Sequence, residues 1–312
     1  AEKLMRASDR EPDDAVLLER AVFALLLAGE TDKAIDLAKK AQKRELELSS
    51  LTRLTLGVSD LSAGDFTDAQ TVLNNSEAGL FNRIVSKTVS AWASFGAGEL
   101  DTAKMQLVES LVGDDILDGV TLYMLAIMQM SAGQDEAALE TFDAVWNERM
   151  RLAIACEHYI RLLSAKGDRE TALKVVEQFR EDVGENPSVE RLAAQLEAGE
   201  TLEVRRLKPQ EGAATSVYAL ATALAMETRD DVSSVYFNLA LQLDPKLDIA
   251  RTMLGSALEM AERRDEAILV LEGVDDTSPF YATAQSQLAW ALMQLDREDA
   301  AIETAILAYE KT

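Results

Sequence analysis

A short sequence motif with one glycine and one alanine recurs five times along this chain at an almost constant separation. The glycines stand at positions 29, 64, 98, 133 and 167, so their separations are 35, 34, 35 and 34 residues, and an alanine follows at 34, 69, 103, 138 and 172. A fixed period of about 20–50 residues indicates an architecture of stacked repeats. We therefore expect similar small units packed side by side.

Each period contains two stretches with helical spacing of apolar residues. Gly29 separates "AVLLERAVFALLLA" from "TDKAIDLAKKA", and both place apolar side chains on one helical face. Glycine suits the left-handed residue that ends a helix, because a Cβ is strained there. A small Ala34 lets the second helix approach the first closely. With five prolines and 48% hydrophobic residues, the chain is predicted to form helix pairs.

The period continues beyond residue 200 without its glycines. Turn positions there are again 34 residues apart, each with a small residue five positions later: Thr228 with Ser233, Glu262 with Ala267, and Asp296 with Ala301. Pro245 and Pro279 follow the second helices of two units, where proline is common after a helix end. The pattern predicts further helix pairs in this half.

These features resemble the tetratricopeptide repeat, a 34-residue helix pair. The unit 248–281 carries the family's small residue at Gly255, alanine at Ala267, large apolar residue at Leu271 and closing Pro279. The resemblance implies an all-α fold, a right-handed α-solenoid of about eight such pairs in two blocks. It also implies a non-catalytic scaffold or adaptor for protein–protein interaction. A similarity to exported bacterial repeat proteins implies a periplasmic location, and a cytoplasmic one stays open.

The period divides the chain into four parts. Residues 1–13 are predicted to be the second helix of an earlier repeat, 14–186 a first block of five units, 187–213 an irregular connector, and 214–312 a second block of three units. The connector is expected to begin with a short helix and to continue as an extended segment. The last helix, "AIETAILAYEKT", lacks the polar face that usually caps a repeat array, so we expect a longer parent protein.

The charge of the chain limits its partners. Asp and Glu number 55 against 31 Lys and Arg, a net charge of −24, which repels nucleic acid and anionic lipid. No apolar run is long enough to insert into a membrane. A protein or peptide with a basic or amphipathic segment is the expected partner. The basic cluster Arg205, Arg206 and Lys208 is expected to pair with nearby acids or to dock an acidic partner.

No catalytic, cofactor-binding or metal-binding constellation is predicted. The nearest approach to one is Cys156 with the single histidine, His158. Residues two apart on a helix point about 200° away from each other, so these two side chains cannot act together. We expect both to be structural.

The resemblance places the binding surface on a concave face lined by the first helix of each pair. Carrying its positions onto this chain selects a mostly apolar set of partner-binding candidates: Phe23, Leu54, Val58, Trp92, Phe95, Tyr123, Ile127 and Met130 in the first block, and Tyr218 and Trp290 in the second. Either the chain itself, for example residues 197–213, fills this groove, or a partner helix or extended peptide does. The alternatives are a small-molecule or glycan site in a closed superhelix, and a carrier subunit whose ends stack on neighbouring chains.

Overall fold

The computed structural model describes residues 1–74, 79–227 and 232–310, and every element in these ranges is an α-helix. The all-α prediction is confirmed. The helices are α1 (Glu2–Arg10), α2 (Ala15–Leu27), α3 (Thr31–Lys43), α4 (Ser50–Ala63), α5 (Phe66–Leu73), α6 (Leu80–Gly96), α7 (Leu100–Val108), α8 (Asp115–Ser131), α9 (Asp135–Asn147), α10 (Ala153–Ala165), α11 (Arg169–Asp182), α12 (Pro187–Glu197), α13 (Pro209–Glu227), α14 (Ser233–Leu243), α15 (Asp248–Met260), α16 (Arg264–Leu271), α17 (Tyr281–Gln294) and α18 (Glu298–Glu310).

One turn geometry joins the two helices of most pairs. Gly64 takes a left-handed φ of 86°, and Glu262 and Asp296 take the same region at 58° and 56° although they carry a Cβ. The backbone N–H after the turn donates to the carbonyl oxygen five residues earlier, at 2.8–3.0 Å: Glu30 to Leu25, Asp65 to Asp60, Glu99 to Ser94, Gln134 to Gln129, Asp168 to Leu163, Arg263 to Leu258 and Arg297 to Leu292. This bond satisfies carbonyls that a helix end leaves unpaired. Thr228, the remaining predicted turn position, lies outside the described residues.

The helices form two compact units that cut across the predicted blocks. One unit comprises residues 1–106 together with 209–312, and the other comprises residues 107–208. The predicted blocks followed chain order, whereas the units follow packing, because α13 and α14 pack on α2, α4 and α6. The predicted connector begins with a helix, α12, and continues through residues 200–208 without helix, which we call the linker segment.

In the first unit, α13 and α14 cover the first helices of the three N-terminal pairs. The indole Nε1 of Trp92 on α6 donates to Ser216 Oγ on α13 at 2.8 Å. The Tyr236 hydroxyl on α14 donates to Asn82 Oδ1 at 2.5 Å, and Asn238 Nδ2 donates to the Leu26 carbonyl at 2.9 Å. These polar contacts accompany an apolar core and fix where α13 and α14 lie on the N-terminal pairs.

The same unit ends in two stacked pairs, α15–α16 and α17–α18. Ile268 and Leu271 of α16 are buried in one core cluster with Leu288 of α17. Gln287 Nε2 on α17 donates to Ser256 Oγ on α15 at 2.9 Å. The first helix of the last pair therefore covers both helices of the pair before it.

The second unit consists of the pairs α8–α9 and α10–α11, with α12 packed on α10 and α11. Its core is aromatic: Phe142 stacks on Tyr159 with ring centroids 5.3 Å apart, and the Tyr123 hydroxyl donates to the Met150 carbonyl at 2.5 Å. Among the helices of the described ranges, none combines the length and the apolar character that crossing a bilayer requires.

Two tryptophans at predicted partner-binding positions should respond differently to truncation. Trp92→Ala removes a fully buried ring and leaves a cavity, so we expect it to lower the free energy of unfolding by about 3–5 kcal/mol. Trp290 is 60% exposed, and Trp290→Ala should change that free energy by about 0.5 kcal/mol or less. Urea unfolding followed by far-UV circular dichroism measures both, and equal effects would contradict the assigned burial.

Candidate functional site

The predicted partner-binding residues of the first three pairs lie beneath the chain's own helices. Leu54, Val58 and Trp92 are fully buried, and Phe95 is half-buried. Tyr218, predicted on the same kind of surface, belongs to the covering helix α13 and is itself buried. From the sequence, this groove is expected to be filled either by the chain itself or by a partner. In the structure, the chain's own helices fill it at these residues. A partner would reach Trp92 only after α13 moved away.

Trp92 fits against the backbone of α13 because of one glycine. A Cβ at Gly212 would lie 2.4 Å from two atoms of the Trp92 ring, well inside van der Waals contact. Phe95 meets the indole edge-to-face, with centroids 5.5 Å apart. The close approach leaves no space for a ligand between α6 and α13 at this point.

Phe23 is the candidate that borders open space in the N-terminal pairs. It is half-buried and lines a groove of about 740 Å³ with Leu4, Val16 and Leu51. Val16 is 58% exposed at the edge of this groove. The groove is apolar, and only Glu19 and Arg20 bring charge to it.

The candidates of the second unit are also internal. Tyr123, Ile127 and Met130 on α8 have no exposed surface. Burial raises the pKa of the Tyr123 phenol, and the nearby Arg151 opposes this rise only in part. The phenol therefore stays protonated and serves as the donor to the Met150 carbonyl.

The linker segment lies along α8 and α10 and is held through its main chain. The backbone N–H of Leu202 donates to Ser164 Oγ at 2.9 Å, and that of Leu207 donates to Ser131 Oγ at 3.0 Å. Leu202 and Leu207 are both buried. Two serine hydroxyls on first helices thus anchor the two ends of a non-helical segment.

One member of the predicted basic cluster makes an ion pair inside this unit. Arg206 donates to both carboxylate oxygens of Asp135, at 2.8 and 3.2 Å, and also to the Met130 carbonyl. The hydrogen bond from Arg206 holds the pKa of Asp135 below its usual value. Arg205, Arg206 and Lys208 are all exposed, so the whole cluster lies at the surface.

The Cys156 and His158 side chains are buried in α10. Burial raises the pKa of the Cys156 thiol well above its usual value, so the thiol is not an activated nucleophile. Burial lowers the pKa of His158 to about 3, and the charges of Arg205 and Arg161 act in the same direction. Within the described ranges, no group of three or more His, Cys, Asp or Glu side chains is arranged to hold a metal ion.

A cavity of about 370 Å³ in the first unit is large enough for a small molecule. It is lined partly by Asn238 and Arg263. The amide of Asn238 is bonded to the Leu26 carbonyl, and Arg263 is bonded to both oxygens of Glu266. Both side chains are therefore engaged in bonds within the protein.

Exposed apolar side chains concentrate on the last helix pair. On α18 they follow helical spacing i, i+3, i+4, i+7, and α17 adds two more; we call this set the end face: Trp290, Met293, Ile302, Ala305, Ile306 and Tyr309. The other side of α18, with Ala301, Thr304 and Ala308, is buried. Trp290, 60% exposed, is the one predicted partner-binding candidate whose side chain lies mostly at the surface. The α18 stripe is visible in the sequence as a last helix without a polar face, but helical spacing does not show whether another element covers such a face.

Comparisons with known proteins give weak matches. No family model matches the chain, and no curated protein matches it. Among solved structures, MamA is 15% identical with a TM-score of 0.31, covering 59% of this chain and 91% of MamA. The P58(IPK) TPR domain is 17% identical with a TM-score of 0.31, covering 99% and 87%. Yeast Tom70 is 14% identical with a TM-score of 0.29, covering 100% and 88%. The helix pairs and turns described above are what support a tetratricopeptide-like fold.

Removing the serine anchors should release the linker segment. Ser131→Ala combined with Ser164→Ala leaves the backbone N–H groups of Leu202 and Leu207 unpaired, at a cost of about 1–3 kcal/mol each. We expect trypsin to cleave after Arg205 at least about tenfold faster, measured by mass spectrometry under native conditions. Ser286→Ala, which removes a bond within an exposed helix turn, is the matched control. An unchanged cleavage rate would show that the serines do not hold the segment.

Buried His158 should make the protein sensitive to acid. Its pKa is about 3 in the folded state against 6.5 for the free group, so between these values the unfolded state binds the extra proton. The free energy of unfolding should therefore fall as pH drops below 6.5, by up to about 1.4 kcal/mol per pH unit. His158→Gln should show a shallower fall in urea unfolding at pH 7.5, 5.5 and 4.5.

The comparison with His158→Gln also controls for Glu157. Burial raises the pKa of the Glu157 carboxyl, and Ser188 opposes this rise by donating a hydrogen bond. A raised carboxyl pKa favours the folded state as pH falls, which is the opposite sign, and both proteins contain this group. Parallel pH dependences in the two proteins would mean that His158 titrates normally.

Proposed function

We propose that this chain is a non-catalytic scaffold for protein–protein interaction and that its partner surface is the end face, with Trp290 as an anchor. The observation behind the proposal is the exposure of large apolar residues on one side of α17 and α18, with Trp290 60% and Tyr309 84% exposed. Contiguous exposed apolar surface usually marks an interaction site. Tryptophan and tyrosine contribute most to binding energy in such sites.

The buried candidates support this proposal indirectly, because they are not accessible to a partner. Leu54, Val58 and Trp92 bind the chain's own α13 and α14, and Tyr123, Ile127 and Met130 lie within the core of the second unit. A partner on these residues would have to displace packed helices or the linker segment. The end face needs no such displacement, so it is the surface that a partner helix or peptide can occupy at the lowest cost.

A non-catalytic role fits the chemistry of the buried polar residues. The Cys156 thiol is inaccessible with a raised pKa, and His158 is neutral throughout the physiological range because its pKa is about 3. Neither has the accessibility that a nucleophile or general base requires.

Site-specific crosslinking tests the partner surface. A photoreactive phenylalanine analogue at position 290 or 306 should capture a partner in native extract, whereas the analogue at Leu269, 70% exposed on α16, should not. Trp290→Ala should lower the yield at position 306 at least about tenfold, because loss of a tryptophan anchor typically costs 2 kcal/mol or more. Equal capture at positions 269 and 306, or none at 290 and 306, would contradict the proposal.

A further inference from the structure

The pair before the end face shows what kind of element fits on such a surface. In α15–α16, Ile268 and Leu271 are buried by α17, and Ser256 bonds Gln287 of α17. The covering element is a single helix lying against both members of the pair.

Part of the end face occupies the same positions one repeat later. Trp290 stands 34 residues after Ser256, Ile302 after Ile268, and Ala305 after Leu271. The two pairs share the same turn, with a left-handed Glu262 in one and Asp296 in the other. A helix can therefore lie on this part of the end face as α17 lies on α15–α16.

The end face is more apolar than the matching positions of the pair before it. Three carboxylates of the earlier pair are replaced by large apolar side chains: Glu259 by Met293, Glu272 by Ile306 and Asp275 by Tyr309. These replacements favour contact with another apolar surface over contact with water.

The surroundings of the end face are acidic. Helix α18 carries Glu298, Asp299, Glu303 and Glu310, all exposed, and the described parts of α17 and α18 contain no Lys or Arg. The basic residue between them, Arg297, is paired with Asp265 at 2.9 Å. An acidic rim attracts a basic partner and repels an acidic one. A second copy of this chain, with a net charge of −24, is therefore disfavoured as the occupant.

We infer that the end face binds an amphipathic α-helix of another protein, with an apolar stripe at i, i+3, i+4, i+7 and Lys or Arg along its edges. This inference rests on the proposed function and names the partner's chemistry. The 13 residues of α18 span about 20 Å at 1.5 Å per residue. The bound helix accordingly needs about four turns to run along the whole of α18.

Two synthetic peptides test the inference directly. Both are 18-residue helices with the same leucine stripe, and they differ only in having Lys or Glu at the flanking positions. Fluorescence anisotropy with the full chain should show the Lys peptide binding at least tenfold more tightly than the Glu peptide. Raising the salt concentration to 0.5 M should reduce this difference, because it screens the rim charges.

Variants separate specific docking from general attraction between a basic peptide and an acidic protein. Ile306→Asp and Tyr309→Asp each should weaken the Lys peptide at least tenfold, although both make the protein more acidic. Leu269→Asp adds the same charge outside the end face and should leave the affinity unchanged. Tyr309 is 84% exposed, so Tyr309→Asp is not expected to unfold the chain, and circular dichroism verifies this.

Three results would overturn the inference. Equal affinity for the Lys and Glu peptides would show that the rim does not select charge, and unchanged binding to Ile306→Asp would place the peptide elsewhere. A concentration-dependent dimer in sedimentation that Ile306→Asp abolishes would make a second copy the occupant. If neither peptide binds while crosslinking from position 290 still captures a partner, this inference fails and the proposed function stands. If the crosslinking also yields nothing, the proposed function fails as well.

Discussion

The packing of Trp92 against the backbone of α13 is the contact on which the arrangement of the first unit depends. The ring is fully buried, its N–H is satisfied by Ser216, and Gly212 removes the one Cβ that would keep the helices apart. Because this contact joins α6 to α13, it brings the N-terminal pairs and the α13–α14 pair into one packed unit. It also turns a face that the family resemblance assigns to ligands into an internal surface.

The sequence predicted what is determined locally. The period, the helix pairs and the position of each turn follow from side-chain spacing and from the needs of a helix end. Glu262 and Asp296 are instructive, because they adopt the left-handed turn without glycine. The turn there is fixed by the helices on either side and by the bond from Arg263 or Arg297 back to the preceding helix. Because these two turns lack glycine, the 34-residue spacing predicted their positions and the residue types did not.

The fate of the apolar first-helix face could not be predicted, because it is decided by contacts between distant parts of the chain. Trp92 and Trp290 stand at comparable positions of their repeats, and the family resemblance implies that both contact a partner. One is covered by α13, whose Ser216 lies 124 residues away, and the other is 60% exposed. Helical spacing shows that a face is apolar. It does not show which helix covers that face.

The first unit is made from two separate stretches of chain, residues 1–106 and 209–312. The residues of the second unit lie between these two stretches in the sequence. During synthesis, the surface around Trp92 is complete long before α13 exists to cover it. At typical translation rates of about 5–20 residues per second, the delay from Trp92 to Ser216 is on the order of ten seconds. Throughout that interval the nascent chain carries an uncovered apolar face. The chain would therefore need a chaperone at the ribosome most between the emergence of α6 and that of α13.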